Sequence, residues 1–290
     1  MYFSRITLRP EILKSSQLNR VLEDNVYGAH RLLWDLFSEQ TRNHIYREEI
    51  AREQLGSSSN VRGESIYYMV SKSKPTEPEH SLFKVETKNY QPQLAVGQIL
   101  NFECRVNPIV TKNAKKHDVV MDAQLVFLKK LIEESGLGKD LPANPKKPDL
   151  KKKLLSKGGE SLKLRLIDIL VGNSRYAERI QQVATLTDLL EWAIKAQVET
   201  ALENWWKRQG ERCGFALVID DSGLSKLQTS GYQWHALPEK EKKGKRAGFS
   251  SVDFIGKLKI TDIEKFKKAL FDGIGRSKAF GCGLLMIKRT

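Results

Sequence analysis

The sequence has 290 residues, and Lys and Arg outnumber Asp and Glu by 49 to 35, for a formal net charge of +14. That excess favours a polyanionic partner, nucleic acid or an acidic membrane surface, while 40% apolar and 29% charged residues suit a folded chain and exclude general disorder. No apolar run reaches the ~18 residues of a spanning helix, MYFSRITLRP lacks a signal-peptide core, and Cys104, Cys213 and Cys282 stand singly, so a cytoplasmic protein without membrane, disulfide partner or zinc site is predicted.

Residues 2–9 alternate as a strand, with Tyr2, Ser4, Ile6 and Leu8 on one side. Asn19–Phe37 reads as an amphipathic helix whose core stripe is Leu22, Val26, Ala29, Leu33 and Leu36. At ~100° per residue, Tyr27, His30 and Trp34 lie along one edge of that stripe, with Arg31 a little further out. Trp34 is assigned to packing. Strands are predicted at His44–Glu53, Ser65–Ser71, Leu82–Lys88 and Ile99–Val106, with a turn at Gly56–Gly63 and a short helix near Glu77–Leu82. Strand, helix, then several strands suits an α+β unit of the ferredoxin-like kind.

The middle changes character. Residues 120–135 and 160–209 carry helical periodicity, separated by LGKDLPANPKKPDLKKKLLSKGG, whose Pro, Gly and Lys content predicts a linker or exposed loop. Strand patterns return at GFALVI, SKLQTSGYQWHAL and FSSVDFIGKLKI, followed by a helix at Asp262–Phe271 with Thr261 as N-cap and a last strand at Leu284–Lys288. The predicted fold class is α+β: two tandem ferredoxin-like (RRM-like) domains with a mostly helical insertion. Their expected bounds are 1–118, 119–196 and 197–290.

The tail GIGRSKAFGCGLL has glycines at 273, 275, 281 and 283 around Arg276, Ser277 and Lys278. Glycines admit close backbone approach, and exposed N–H groups with two cations make a seat for phosphates. No GK[ST] follows, and the loop connects a helix to a strand rather than a strand to a helix, so P-loop and dinucleotide readings are excluded. A tight turn joining helix to strand is the plainer alternative.

That tail, as GIGRSKAFGCGLLMIK, resembles the glycine-rich loop of the endoribonucleases of type I-E CRISPR systems, the CasE family of the repeat-associated mysterious protein superfamily. MYFSRITL, YGAHRLLWDLF, FECRVNPIVTK and WWKRQGERCGFAL resemble the family's other landmarks, in the family's order. About Met121 to Lys195 match nothing in the family pattern.

The resemblance implies antiviral CRISPR precursor RNA processing: binding of the repeat hairpin, cleavage, and retention of the product crRNA with other Cascade subunits. It implies a metal-independent nuclease without cofactor. The ribose 2′-hydroxyl attacks the adjacent phosphate and leaves 2′,3′-cyclic phosphate and 5′-hydroxyl ends. His30 would be general acid or base, suited by a pKa near neutrality, with Tyr27 positioning the site. Arg31, Gly275, Arg276, Ser277 and Lys278 would hold RNA. EKEKKGKRAG, between two predicted strands, is rich in cations, and the resemblance places Lys242, Lys243, Lys245 and Arg246 against the hairpin stem. His44, His80, His117 and His235 match no motif and read as surface residues, and the lysines at 146, 147 and 151–153 as solvated. Two competing readings are a non-catalytic RNA-hairpin-binding scaffold and a protein whose basic insertion docks DNA or a partner.

Overall fold

The computed structural model describes residues 1–9, 26–39, 41–50, 65–77, 81–139, 141–173, 175–182, 185–237 and 247–290. The chain divides into two compact units, one of Met1–Pro108 with Lys207–Thr290 and one of Ile109–Trp206. Among the described residues no helix is long and apolar enough to cross a membrane.

The elements run β1 Tyr2–Leu8, α1 Val26–Trp34, β2 His44–Ile50, β3 Ser65–Ser71, β4 Phe83–Asn89, β5 Ile99–Val106, β6 Ile109–Lys112 and β7 Lys115–Asp118. They continue with α2 Val119–Glu134, α3 Lys147–Lys157, α4 Gly159–Val171, a 3-10 helix Ala177–Gln182, and α5 Leu186–Cys213. Last come β8 Phe215–Leu217, β9 Gln228–Ala236, β10 Gly248–Ile260, α6 Ile263–Asp272, a 3-10 turn Lys278–Phe280, and β11 Leu285–Arg289.

In the first unit two antiparallel sheets repeat one topology. The first has the order β2-β3-β1-β4 and the second β8-β10-β5-β11, with β9 added to β10. Both are the ferredoxin-like arrangement, first and third strands central. The fold class is thus α+β with two such halves and a helical insertion. Ile99–Val106, which the bounds drawn from sequence place with the first half, pairs with β10 and β11 instead. Alternation made β1 legible: Ser4, Ile6 and Leu8 are buried. Ile6 and Leu8 meet Ala29, Leu33 and Leu36 of the predicted helical stripe, along with Tyr46, Tyr67, Met69 and Phe83. Leu22 and the side chain of Val26 lie outside the described residues, as does the Gly56–Gly63 turn. Of the short helix expected near Glu77–Leu82, Glu77, Ser81 and Leu82 are not helical and 78–80 fall outside the described residues.

Among its described residues the second unit is helical apart from the β6–β7 hairpin. Phe127, Leu128, Leu131, Leu150, Leu154, Leu162, Leu166, Leu170, Leu189 and Leu190 share its core. Here the lysine-rich segment read as a linker contains a helix, α3. Pro148 sits in its first turn, where its missing N–H costs nothing. The Asp149 carboxylate accepts from the Lys146 N–H (2.9 Å). Burial of Leu150 and Leu154, one turn apart, holds α3 to the core. Its lysines are not all solvated: Lys147 Nζ donates to Gln124 Oε1 (2.6 Å), and Lys151 pairs with Glu191 (2.6 Å). In the first unit, the cap of α6 is Asp262 and not Thr261: Asp262 Oδ1 accepts from the Lys265 N–H at 3.0 Å.

Candidate active site

The glycine-rich segment folds back on itself. The Ile274 N–H donates to Gly283 O (2.8 Å), and the Gly283 N–H donates to Arg105 O of β5 (2.7 Å), closing the neck against the second sheet. At that neck only glycine fits. A Cβ on Gly273 (φ +75°) would stand 2.9 Å from Gly283 O, and one on Gly283 (φ +92°) 2.7 Å from Ile274 O. Beyond it, Gly275 is also at positive φ (78°). Ser277 takes the left-handed conformation (φ 55°), and Asn107 Nδ2 donates to its Oγ at 2.7 Å. The turn Lys278–Phe280 then packs against α1 and β2. Tyr46 Oη donates to Ala279 O (3.3 Å).

This packing brings the two ends of the sequence together. The half-buried His30 ring stands 5.7 Å from the Phe280 ring, edge to face, and 6.0 Å from Trp34 on its own helix. Arg31 and Arg276 are exposed, and Lys278 is half-buried. Burial pushes the Lys278 ammonium below its usual pKa, helped by the charge of Arg42, while Asp272 opposes the shift. The Lys278 and Arg42 charges act on each other, which favours an anion between them.

His30, Gly275, Arg276, Ser277 and Lys278 therefore belong to one region, and Arg31 neighbours His30 in sequence on α1. The side chain of Tyr27 lies outside the described residues, although its backbone is in α1. Lys242, Lys243, Lys245 and Arg246 also lie outside them, as does His80.

Two histidines read as surface residues are not so. His44 is 4% exposed. Its ring stacks on Phe37 (4.8 Å, 10°) and meets Trp34 edge-on at 5.8 Å. Its Nδ1 is 3.2 Å from Asn43 Oδ1. The Asn43 amide nitrogen donates to Glu39 (3.0 Å) and Ser73 (2.5 Å), which turns its oxygen toward His44. His44 is therefore the Nδ1–H tautomer. Burial, then the charges of His30 and Arg42, push its pKa down to about 4. His235 is half-buried, 2.7 Å from Ser251 Oγ through Nε2, and burial followed by Arg105 lowers its pKa. Sequence reasoning passed over Phe280, Arg42 and Asn107. Phe280 sits inside the motif it singled out, and Asn107 inside FECRVNPIVTK.

The family described as CRISPR associated protein matches residues 1–289. Among solved structures, a CRISPR endoribonuclease Cse3 bound to a 19-nucleotide RNA is 19% identical, with a TM-score of 0.59 over 99% of this chain and 100% of that one. Thermus thermophilus Cse3 bound to an RNA representing a pre-cleavage complex is 18% identical (TM-score 0.56; 99% and 98%). A CRISPR-associated protein from Thermus thermophilus is 19% identical (TM-score 0.54; 99% and 100%). No curated protein matches the sequence. At these identities the structures speak for a shared fold, and the match over residues 1–289 speaks for membership. The chain belongs to the family of CRISPR-associated proteins.

Proposed function

We propose that this protein is the CasE-type endoribonuclease of a type I-E system, working in the cytoplasm on the CRISPR precursor transcript. It binds the repeat hairpin, cuts it without a metal ion, and keeps the crRNA as a subunit of Cascade. Family membership supports the reading, as does a fold shared with Cse3 structures that hold RNA. The observation that carries it is the 5.7 Å approach of the His30 ring to Phe280, which sets an N-terminal imidazole beside the C-terminal glycine turn.

Each group then has a task. The 2′-oxygen upstream of the scissile bond forms a bond to phosphorus as the bond to the 5′-oxygen breaks. One proton leaves the 2′-hydroxyl and one arrives on the 5′-oxygen. His30, as general acid or base, moves one of them, a contribution typically worth ~10²–10⁴-fold. Tyr27, one helical turn away, orients the reacting group. Lys278 and Arg276 offset charge building on the phosphate, while the backbone of Gly275 and Ser277 approaches it closely. Arg31 and the basic residues Lys242, Lys243, Lys245 and Arg246 hold the stem by its phosphates.

Because the nucleophile is part of the RNA, the test is direct. The protein is incubated with a repeat hairpin in EDTA, and again with a 2′-deoxy sugar at the cut position. Cleavage in EDTA to a 2′,3′-cyclic end, abolished by the deoxy sugar, is expected. A requirement for magnesium, or cutting of the deoxy substrate, overturns the mechanism.

A further inference from the structure

We propose that Phe280 is a positioning residue for the His30 imidazole, held on station by a column of stacked rings that reaches into the second sheet. The inference rests on the proposed role of His30 and adds the device that aims it.

A histidine on a helix surface can turn about two side-chain bonds, whereas proton transfer needs one nitrogen aimed at one oxygen. His30 is bracketed against such turning. Trp34 meets its ring on one side at 6.0 Å and 87°, and Phe280 meets it at 5.7 Å and 61°. Both are edge-to-face contacts, the arrangement favoured by ring quadrupoles.

Neither bracket is loose. Phe280 stacks on Phe249 (5.5 Å, 20°), and Phe249 stacks on His235 (4.7 Å, 19°). The foot of the column is fixed because His235 Nε2 is 2.7 Å from the Oγ of Ser251, itself 2% exposed. The backbone beneath Phe280 is tied twice, by its own N–H to Ser277 O (2.9 Å) and by Tyr46 to Ala279 O (3.3 Å). On the other side Trp34 leans on His44, which stacks on Phe37. His235, Phe249, Phe280, His30, Trp34 and His44 thus form an unbroken series of rings, with His30 near the middle. Burial lowers the pKa of both histidines in the series, His44 and His235, which favours their neutral forms.

The test is Phe280→Leu, which keeps bulk and removes the ring, with Phe280→Tyr as the conservative partner and thermal unfolding as the folding control. Phe280→Leu is expected to lower single-turnover cleavage ~10–100-fold, because small misplacements of a reacting group cost that much. Hairpin Kd should stay within about twofold, as expected for a group that leaves ground-state binding alone. Phe280→Tyr should restore most of the rate. Phe249→Leu, one ring further along the column, should lower the same rate by less. In a His30→Ala background Phe280→Leu should change nothing further.

A second readout does not depend on cleavage. The His30 ring resonance in a 1H–13C spectrum should shift in Phe280→Leu and return in Phe280→Tyr. An unmoved resonance, or an equal rate loss in the His30→Ala background, overturns the positioning role. A wild-type protein that never cuts, yet shows the resonance shift, instead sinks the nuclease reading and leaves the ring contact standing.

Discussion

Replacing His30 with alanine should lower hairpin cleavage at least ~100-fold while affinity changes little, because in the proposed mechanism the imidazole moves a proton and does not hold the RNA. Equal losses in rate and affinity would instead make His30 a binding residue. His44, two rings away, acts on stability. Its pKa falls from the usual histidine value of about 6.5 to about 4 in the fold. Between those values the unfolded chain takes a proton that the folded chain refuses. Its stabilising contribution is therefore complete above about pH 6.5 and is lost as pH drops to about 4, roughly 3 kcal/mol in all. His44→Phe should flatten the fall in urea midpoint between pH 7 and 4.5, and an unchanged slope would exonerate His44. No pattern in HIYREEI announces this. The enclosing rings, Phe37 and Trp34, come from the segment before it, and alternation in a strand gives the face but not what covers that face. His30, by contrast, is singled out by the likeness that YxxHxxLW carries, and the structure adds only its place beside Phe280.

At the scale of elements, caps and neighbours decide the boundaries. The one-residue shift of the α6 cap has a clear test. Asp262→Ala should cost about 1 kcal/mol in urea unfolding, whereas Thr261→Ala should stay within ~0.5 kcal/mol. Reversed values would restore Thr261 as cap. Thr261 and Asp262 both suit an N-cap, and the choice falls to tertiary structure: Gly214 O accepts both of their N–H groups, at 2.9 and 3.1 Å. The helix α3 escaped notice for a different reason. Its sequence, KPDLKKKLLSK, shows prolonged charge with few apolar positions, and Leu150 and Leu154, one turn apart, with Leu155 beside them, suffice only because a ready core receives them. Strands were read more surely. Ile99–Val106 was found with its exact bounds, yet its sheet was not, since alternation states a strand's period and says nothing of its partners.

Over the whole first unit, one buried guanidinium joins the two sheets. Arg47 of β2 is 1% exposed and pairs with Glu49, with Glu103 of β5, and with Asp253 of β10 at 3.8 Å. Arg105 grips Asp253 through two bonds of 2.9 and 3.0 Å and donates to Glu48 O at 3.0 Å. Arg47→Met takes the guanidinium from Glu49 and Glu103, while Asp253 keeps Arg105, and should cost about 3 kcal/mol in urea unfolding, at the lower edge for a broken buried pair because its partners retain some water. A change below ~0.5 kcal/mol would show that the network is not needed. Such a network spans segments far apart in sequence, so nothing in any one of them foretells it. The inserted unit carries a last consequence. The Trp205 indole N–H donates to Ile109 O at 3.1 Å, so the chain enters and leaves the helical unit at one spot. Pro108 and Lys207, the residues that flank it, need only a short bridge between them. Apart from the end of α5, whose residues from Lys207 on belong to the first unit, the helices are in effect a cassette, open to exchange for a few glycines or for an unrelated module without rethreading either sheet.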